Sequence, residues 1–213
     1  MAFKAHPKGF RLGISEEWKA AWFNPKKTRE WLKEDIQIRE FLFSFFPKMT
    51  IEDIFIERVG EKVKVVIKTP KPGVVIGKKG ETLKELTRKI KEIVGKKELK
   101  IEVEETKNPR KSASLIAQQI AHDIERRVPF RQAVKRAMQR IKEEKDIKGA
   151  KIRVSGRLDG ATIARPEVFR FGSLPLQKLF ADIDYAYFTA KTKWGIIGVK
   201  VWLYFGDKKE VQK

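Results

Sequence analysis

Polar and apolar positions along this chain change period several times, and each change marks an element. Downstream of Asn24-Pro25, the residues Trp31, Leu32, Ile36, Ile38, Phe41 and Leu42 recur at helical spacing and predict a helix that closes at Pro47. "IEDIFIERV" then reads as a strand. "KVKVVIK", 62–68, reads as a second, with Val63, Val65 and Ile67 set against Lys62, Lys64 and Val66, and Gly60-Glu61 as the turn between them. A proline- and glycine-rich loop follows, bending at Gly73. Beyond Gly80, Leu83, Leu86, Ile90, Ile93 and Val94 share one helix face up to Gly95. "ELKIEVEE" alternates again, with Leu99, Ile101 and Val103 inward. The order helix, strand, strand, glycine loop, helix, strand predicts one α+β unit.

"KNPRK", 107–111, is the expected boundary, with Asn108 placed to cap a helix and Pro109 to fill its first turn. Helices are expected over about 110–127 and 130–145, broken at Pro129. Four strands follow in "AKIRVSGRL", "ATIARPEVFRFG", "ADIDYAYFTAKT" and "WGIIGVKVWLYFG". This predicts a second α+β domain, two helices on a mostly antiparallel four-stranded sheet. The expected layout is an extended arm over 1–24, a first domain over 25–107, a second over 108–207 and a polar tail over 208–213. The arm carries Phe3, Phe10, Trp18, Trp22 and Phe23, and either docks on a partner or packs on the body. "FLFSFF", 41–46, is too short to span a bilayer and reads as the end of a buried helix.

Charge sharpens this picture. Lys plus Arg total 48 against 28 Asp plus Glu, a net charge of +20. A long polyanion relieves such self-repulsion, so nucleic acid is the leading partner and an anionic membrane the rival. Cysteine is absent, which excludes disulfides, thiolate zinc sites and cysteine nucleophiles. The N-terminal stretch lacks the apolar core of a signal peptide.

"VVIGKKGE", 74–81, raises the question of which anion it serves. A nucleotide P-loop needs four residues between its glycines and a hydroxyl after the lysine; Gly73 to Gly77 is one residue short, and Lys79 stands where the hydroxyl should be. A dinucleotide fingerprint lacks its close glycine pair. What remains is G-x-x-G before an amphipathic helix, the backbone clamp of KH modules, with Gly77, Lys78, Lys79 and Gly80 as RNA-contacting candidates. "RRVPFRQAVKRAMQRIK", 126–142, holds no carboxylate. On a helical wheel Ala133, Val134, Ala137, Met138 and Ile141 share one face, while Arg131, Lys135, Arg136, Arg140 and Lys142 form a cationic strip on the other. With Arg126 and Arg127 these are further candidates for an RNA backbone. Catalytic candidates are thin. His6 and His122 read as structural or partner contacts, and Asp182 with Asp184, on one strand face, make a poor metal site. Tyr185, Tyr187, Trp194 and Trp202 could stack on bases or fill the core. No catalytic residue, metal or cofactor is expected.

Taken in order, "HPKGFRLGI", "PGVVIGKKGE", "ERRVPFRQAVKRAMQ", "VSGRLDGATIAR", "ADIDYA" and "GIIGVKVWLYFG" make the chain resemble, over nearly its full length, the third protein of the bacterial-type small ribosomal subunit. The resemblance implies an N-terminal type II KH domain and a C-terminal α+β domain. It implies a place in the subunit head, in the cytoplasmic ribosome, bound to small-subunit ribosomal RNA. The tenth and fourteenth small-subunit proteins would be neighbours, and the fourth and fifth would share the channel by which messenger RNA enters. Arg131 and Lys135 match messenger-facing positions implicated in unwinding; Gln132 stands where a second arginine is common, and nearby Arg136 is the expected substitute. Asp159 and Pro166 replace a usual glycine and threonine, and "FRFGS" is less charged than the family stretch, so the 159–173 surface is expected to meet its neighbours differently. The alternatives are a free KH-domain RNA-binding regulator and an RNA-processing enzyme.

Overall fold

The computed structural model describes residues 4–95 and 97–208, and these form two compact units. One comprises Trp18–Lys107; the other joins the segment up to Glu17 with the chain from Asn108 onward. The 1–24 segment is thus divided between the units. Phe3 and all of the 208–213 tail except Lys208 lie outside the described residues.

In the first unit, β1 (Ala20–Ala21), α1 (Thr28–Phe45), β2 (Asp53–Val59), β3 (Lys62–Thr69), α2 (Pro72–Ile76), α3 (Glu81–Val94) and β4 (Glu98–Glu105) follow in order. The sheet runs β1-β2-β3-β4. β2 and β3 form an antiparallel hairpin turned at Gly60, whose φ of +60° suits glycine. β4 pairs parallel to β3, and a parallel return needs a crossover, which α2 and α3 supply. The glycine loop therefore lies inside the crossover. Its approach is helical where the sequence reads as a bend: Gly73 lies within α2. Ile38, Leu42, Ile54, Ile56, Val63, Val65, Ile67, Val75, Leu86 and Ile90 close the core. Full burial of a Leu or Ile side chain contributes about 1.5–3 kcal/mol over exposure.

The buried stripe of α1 differs from expectation. Leu32 and Ile36 are about half exposed, at 51% and 47%, and Asp35 is buried instead. Trp31, Asp35, Ile38 and Leu42 keep helical spacing, so the face is rotated by a polar member. Asp35 is tolerated because Arg58 of β2 donates to its Oδ1 from Nε at 3.1 Å, and the Trp22 indole donates to Oδ2 at 2.8 Å.

The second unit contains α4 (Ala113–Glu125), α5 (Phe130–Glu143), β5 (Gly149–Gly156), β6 (Arg165–Gly172), β7 (Ala181–Thr192) and β8 (Gly195–Asp207). The sheet order is β6-β5-β8-β7, with every neighbouring pair antiparallel. Pro109–Lys111 is a separate 3-10 turn, and Ser112, not Asn108, caps α4: its Oγ accepts from the Leu115 N–H at 3.4 Å. Between α4 and α5 the chain reverses through Arg127, at φ +65°. Both helices pack on one face of the sheet through Ile120, Val134, Ile141, Ile152, Val154, Val199, Val201 and Leu203.

Part of the opposite face carries a smaller cluster of Ala181, Ile183, Trp202 and Tyr204. Residues 6–16 pack on this unit. Arg11 is fully buried and donates to the carbonyls of Pro7 (2.8 Å), Leu176 (3.0 Å) and Lys178 (2.7 Å). His6 meets Tyr185 edge-on at 4.8 Å, and Lys8 pairs with Asp184 at 2.7 Å.

Candidate nucleic-acid interface

The loop between α2 and α3 is built by conformations that few residues adopt. α2 ends on Gly77, at φ +74°, whose N–H donates to the Gly73 carbonyl at 2.9 Å. A Cβ at Gly77 would sit 2.1 Å from Thr82 Oγ1, so both backbone angle and space demand glycine. Lys78-Lys79-Gly80 forms one tight turn, with Lys79 itself left-handed at φ +50° and Gly80 at φ +77°. For lysine such a conformation costs about 1–2 kcal/mol. The turn thrusts both lysine side chains into solvent. Among the described residues neither has an ion-pair partner. Gly80 brings no side-chain oxygen to cap α3, and the first amide of the helix, that of Glu81, donates to the Lys78 carbonyl. Val74 and Ile76 are exposed at 46% and 40% beside the turn; only Val75 of the apolar run enters the core.

The second cationic element is α5. Phe130, Ala133, Val134, Ala137, Met138 and Ile141 are buried, so the wheel read from the sequence matches the observed inner face. Arg131, Lys135, Arg136, Arg140 and Lys142 are all exposed, as are Arg126 and Arg127 just before the helix. The strip is not free of carboxylate throughout. Glu167 of β6 reaches it, and Arg131 donates to Glu167 from Nη2 at 3.0 Å and from Nε at 3.4 Å. That hydrogen bond raises the pKa of Arg131 and holds Glu167 below the usual carboxylate range. Lys142 lies over the Phe171 ring at 5.3 Å. A depression between α5 and β6 is lined by Lys135, Lys142 and Arg170.

The acids considered for chemistry, and two of the four rings, are engaged elsewhere. A β-bulge separates Asp182 from Ile183; Asp182 pairs with Lys208 at 3.3 Å, and Asp184 accepts from the Ala113 N–H at 2.7 Å. Among the described residues no group of three or more His, Cys, Asp or Glu is placed to hold a metal. His6 accepts from the Gly9 N–H at 3.1 Å, and His122 is half-buried in α4. Trp202 is buried, and Tyr185 touches both His6 and Trp202. Tyr187 and Trp194 remain exposed, each near a lysine, Lys200 at 5.6 Å and Lys193 at 4.2 Å from the ring centroids. Two contributors escaped the sequence: Thr82, which enforces Gly77, and Glu167, which restrains Arg131. Residue type does not announce the Thr82 contact five positions after Gly77, and Glu167 meets Arg131 only across the fold.

Known families agree with this division. Residues 37–111 match the KH domain family, and residues 120–203 match "Ribosomal protein S3, C-terminal domain". A small ribosomal subunit protein uS3 of Kosmotoga olearia is 48% identical over 97% of this chain and 96% of its own length. Another, of Persephonella marina, is 45% identical over 100% of this chain and 94% of its own length. One of Thermotoga petrophila is 44% identical, covering 97% and 99%. Identity of this level, sustained across both units, leaves no doubt of descent: the chain belongs to the small ribosomal subunit protein uS3 family.

Proposed function

We infer that this chain is a structural constituent of the small ribosomal subunit head that docks on ribosomal RNA and presents α5 to incoming messenger. Membership of the family supports the first part: a ribosomal, non-enzymatic protein with a KH RNA-binding domain and an S3 C-terminal domain, whose partners are ribosomal RNA and other ribosomal proteins. Gly77, Lys78, Lys79 and Gly80 hold one stretch of ribosomal RNA backbone, the glycines by permitting close approach and the lysines by charge. Arg131, Lys135 and Arg136 line the channel through which messenger enters. Arg126, Arg127, Arg140 and Lys142 extend that contact along the backbone. The tenth and fourteenth small-subunit proteins are its neighbours in the head, the fourth and fifth complete the channel, and the particle is the cytoplasmic ribosome.

The observation that carries the messenger reading is the exposed strip of Lys135, Arg136, Arg140 and Lys142, which has no ion pair among the described residues. A solvated helix gains from mixed signs at i,i+4, and this strip forgoes that gain. Fixed on a rigid helix, it grips one strand by its phosphates without reading bases, and so opposes re-pairing of messenger as it is drawn in.

Subunits carrying Arg131→Ala and Lys135→Ala should assemble normally and translate unstructured messenger at the usual rate. Across a stable hairpin they should slow by about threefold to tenfold, the scale of one to two lost phosphate contacts. Equal slowing on structured and unstructured messengers in a translation assay would remove α5 from the channel.

A further inference from the structure

The sheet of the second unit has a face turned away from α4 and α5. The strand registers arrange its side chains as a grid. One row, from β6 to β7, reads Val168, Arg153, Lys200, Tyr187; the next reads Arg170, Lys151, Trp202, Tyr185. Two cross-strand pairs are therefore cation opposite cation: Arg153 faces Lys200, and Lys151 faces Arg170. Like charges directly opposite destabilise a sheet. No carboxylate lies in either row, and among the described residues none of these four cations has an ion pair.

Lys151 makes the point most sharply. It is only 9% exposed, yet among the described residues the groups found to act on its charge are the Trp202 ring, 5.0 Å from its Nζ, and other cations. Burial, then Lys4, Arg170 and Arg153, depress its pKa. A lysine nine-tenths buried without a counter-charge is an incomplete arrangement.

At the edge of the cationic rows, Tyr187 is 51% exposed and lies against Gly198: a Cβ there would come within 3.1 Å of the ring. The ring thus lies down on the sheet with its outer side open. Arg170 also lines the depression shared with Lys135 and Lys142 of α5, so the cationic surface continues round the edge strand β6 onto this face.

We propose that the β6-β5-β8 face of the second unit is a further RNA-docking surface, where phosphates seat among Arg153, Arg170 and Lys200, above the buried charge of Lys151, and a base stacks on Tyr187. The ligand is an RNA backbone because charge complementarity is one-sided, the cations stand a sheet's spacing apart (about 4.8 Å across strands and about 6.7 Å along them), and the aromatic ring is of the kind that receives bases without choosing among them. The ligand's identity rests on the ribosomal reading above; the surface itself is additional to the loop at 77–80 and to α5.

The test is filter binding of the full chain to transcribed small-subunit ribosomal RNA over a salt series. Arg153→Gln with Lys200→Gln should weaken binding roughly tenfold and lower the slope of log K against log salt by about 1.4–1.8, at about 0.7–0.9 per phosphate. Its melting temperature should hold or rise, because a repulsive pair is gone. Lys78→Asp with Lys79→Asp is measured in parallel. Loss in the sheet variant alone supports the face and discards the loop; loss in the loop variant alone overturns the face and leaves the loop standing.

A second measurement fixes location. The chain has no cysteine, so Ser155→Cys offers a single site for an iron chelate at the margin of the grid. Cleavage of ribosomal RNA from that site in reconstituted subunits is the expected result. An intact RNA, or a sheet variant that binds RNA normally but loses a protein neighbour from the subunit, would overturn the proposal.

Discussion

On the outer face of the first unit's sheet, Lys62 meets Glu98 at 3.3 Å, Lys64 meets Glu102 at 3.0 Å, and Lys100 meets Glu102 at 2.8 Å. Lys64 also approaches Glu57, its cross-strand partner, at 3.7 Å. On the outer face of the second unit's sheet, Arg153 meets Lys200 and Lys151 meets Arg170. The backbone problem is the same in both places: a four-stranded sheet covered by helices on one side. The first unit pairs its lysines with nearby carboxylates, even where Lys100 stands directly opposite Lys64 in the register. The second leaves Lys151, Arg153, Arg170 and Lys200 unmatched among the described residues, at a cost to its own stability. Internal pairing makes a surface that needs nothing further; unmatched cations make one that is completed only by an anion. Net charge alone, +20 for the chain, does not separate the two.

The largest effect expected from this contrast lies where pairing is buried. Arg58 is 1% exposed in its side chain; it donates to Asp35 and to Glu34, and lies over the Trp31 ring at 5.5 Å. Arg58→Met should strand Asp35 in the core and destabilise the first unit by about 3–5 kcal/mol, measured by urea unfolding. A loss below about 1 kcal/mol would mean that these charges are not what holds α1 to β2, and the paired half of the comparison would fail.

How legible this was depends on distance along the chain. Elements whose signal is local came through. Leu83, Leu86, Ile90 and Val94 specify α3, the alternation of Val63, Val65 and Ile67 specifies β3, and the inner face of α5 is the one its apolar spacing requires. The cap of α4 went to Ser112 because Pro109–Lys111 closes a turn of its own, a competition between adjacent turn formers that residue type does not decide. Asp35 carries no local sign of its burial, because its partner Arg58 is 23 residues away. The cationic grid was half visible: alternation already puts Lys151 and Arg153 on one face of "AKIRVSG". That they oppose Arg170 and Lys200 follows only from strand order β6-β5-β8, which brings together segments distant in sequence.

A milder perturbation sharpens the contrast from the paired side. Lys62→Gln with Lys64→Gln breaks exposed pairs only, so the melting temperature should fall by about 1–3 °C. RNA affinity should change less than about threefold, since those lysines already have partners. The expected pattern is opposite to that of Arg153→Gln with Lys200→Gln, which spares stability and weakens binding. Two double cation-to-glutamine exchanges of equal charge would then differ in outcome by the carboxylate partners that the first pair has and the second lacks.

The smallest effect concerns a place where the cationic surface of the second unit meets a carboxylate. Glu167 of β6 engages Arg131 in two hydrogen bonds and lies 3.5 Å from Arg165. Within the strip on α5, Arg131 alone is tied down in this way among the described residues, so a backbone phosphate must compete with a carboxylate for it. Glu167→Gln keeps the size of the side chain and removes the charge. If Glu167 acts as a competitor, single-stranded RNA should bind the variant about two- to threefold more tightly, and the slope of log K against log salt should steepen by about 0.7, one contact's worth. If the pair instead aims the guanidinium at the strand, the same variant binds more weakly with an unchanged slope. The two results assign Glu167 opposite roles, and only the first extends to α5 the rule that an unmatched cation is one held ready for RNA.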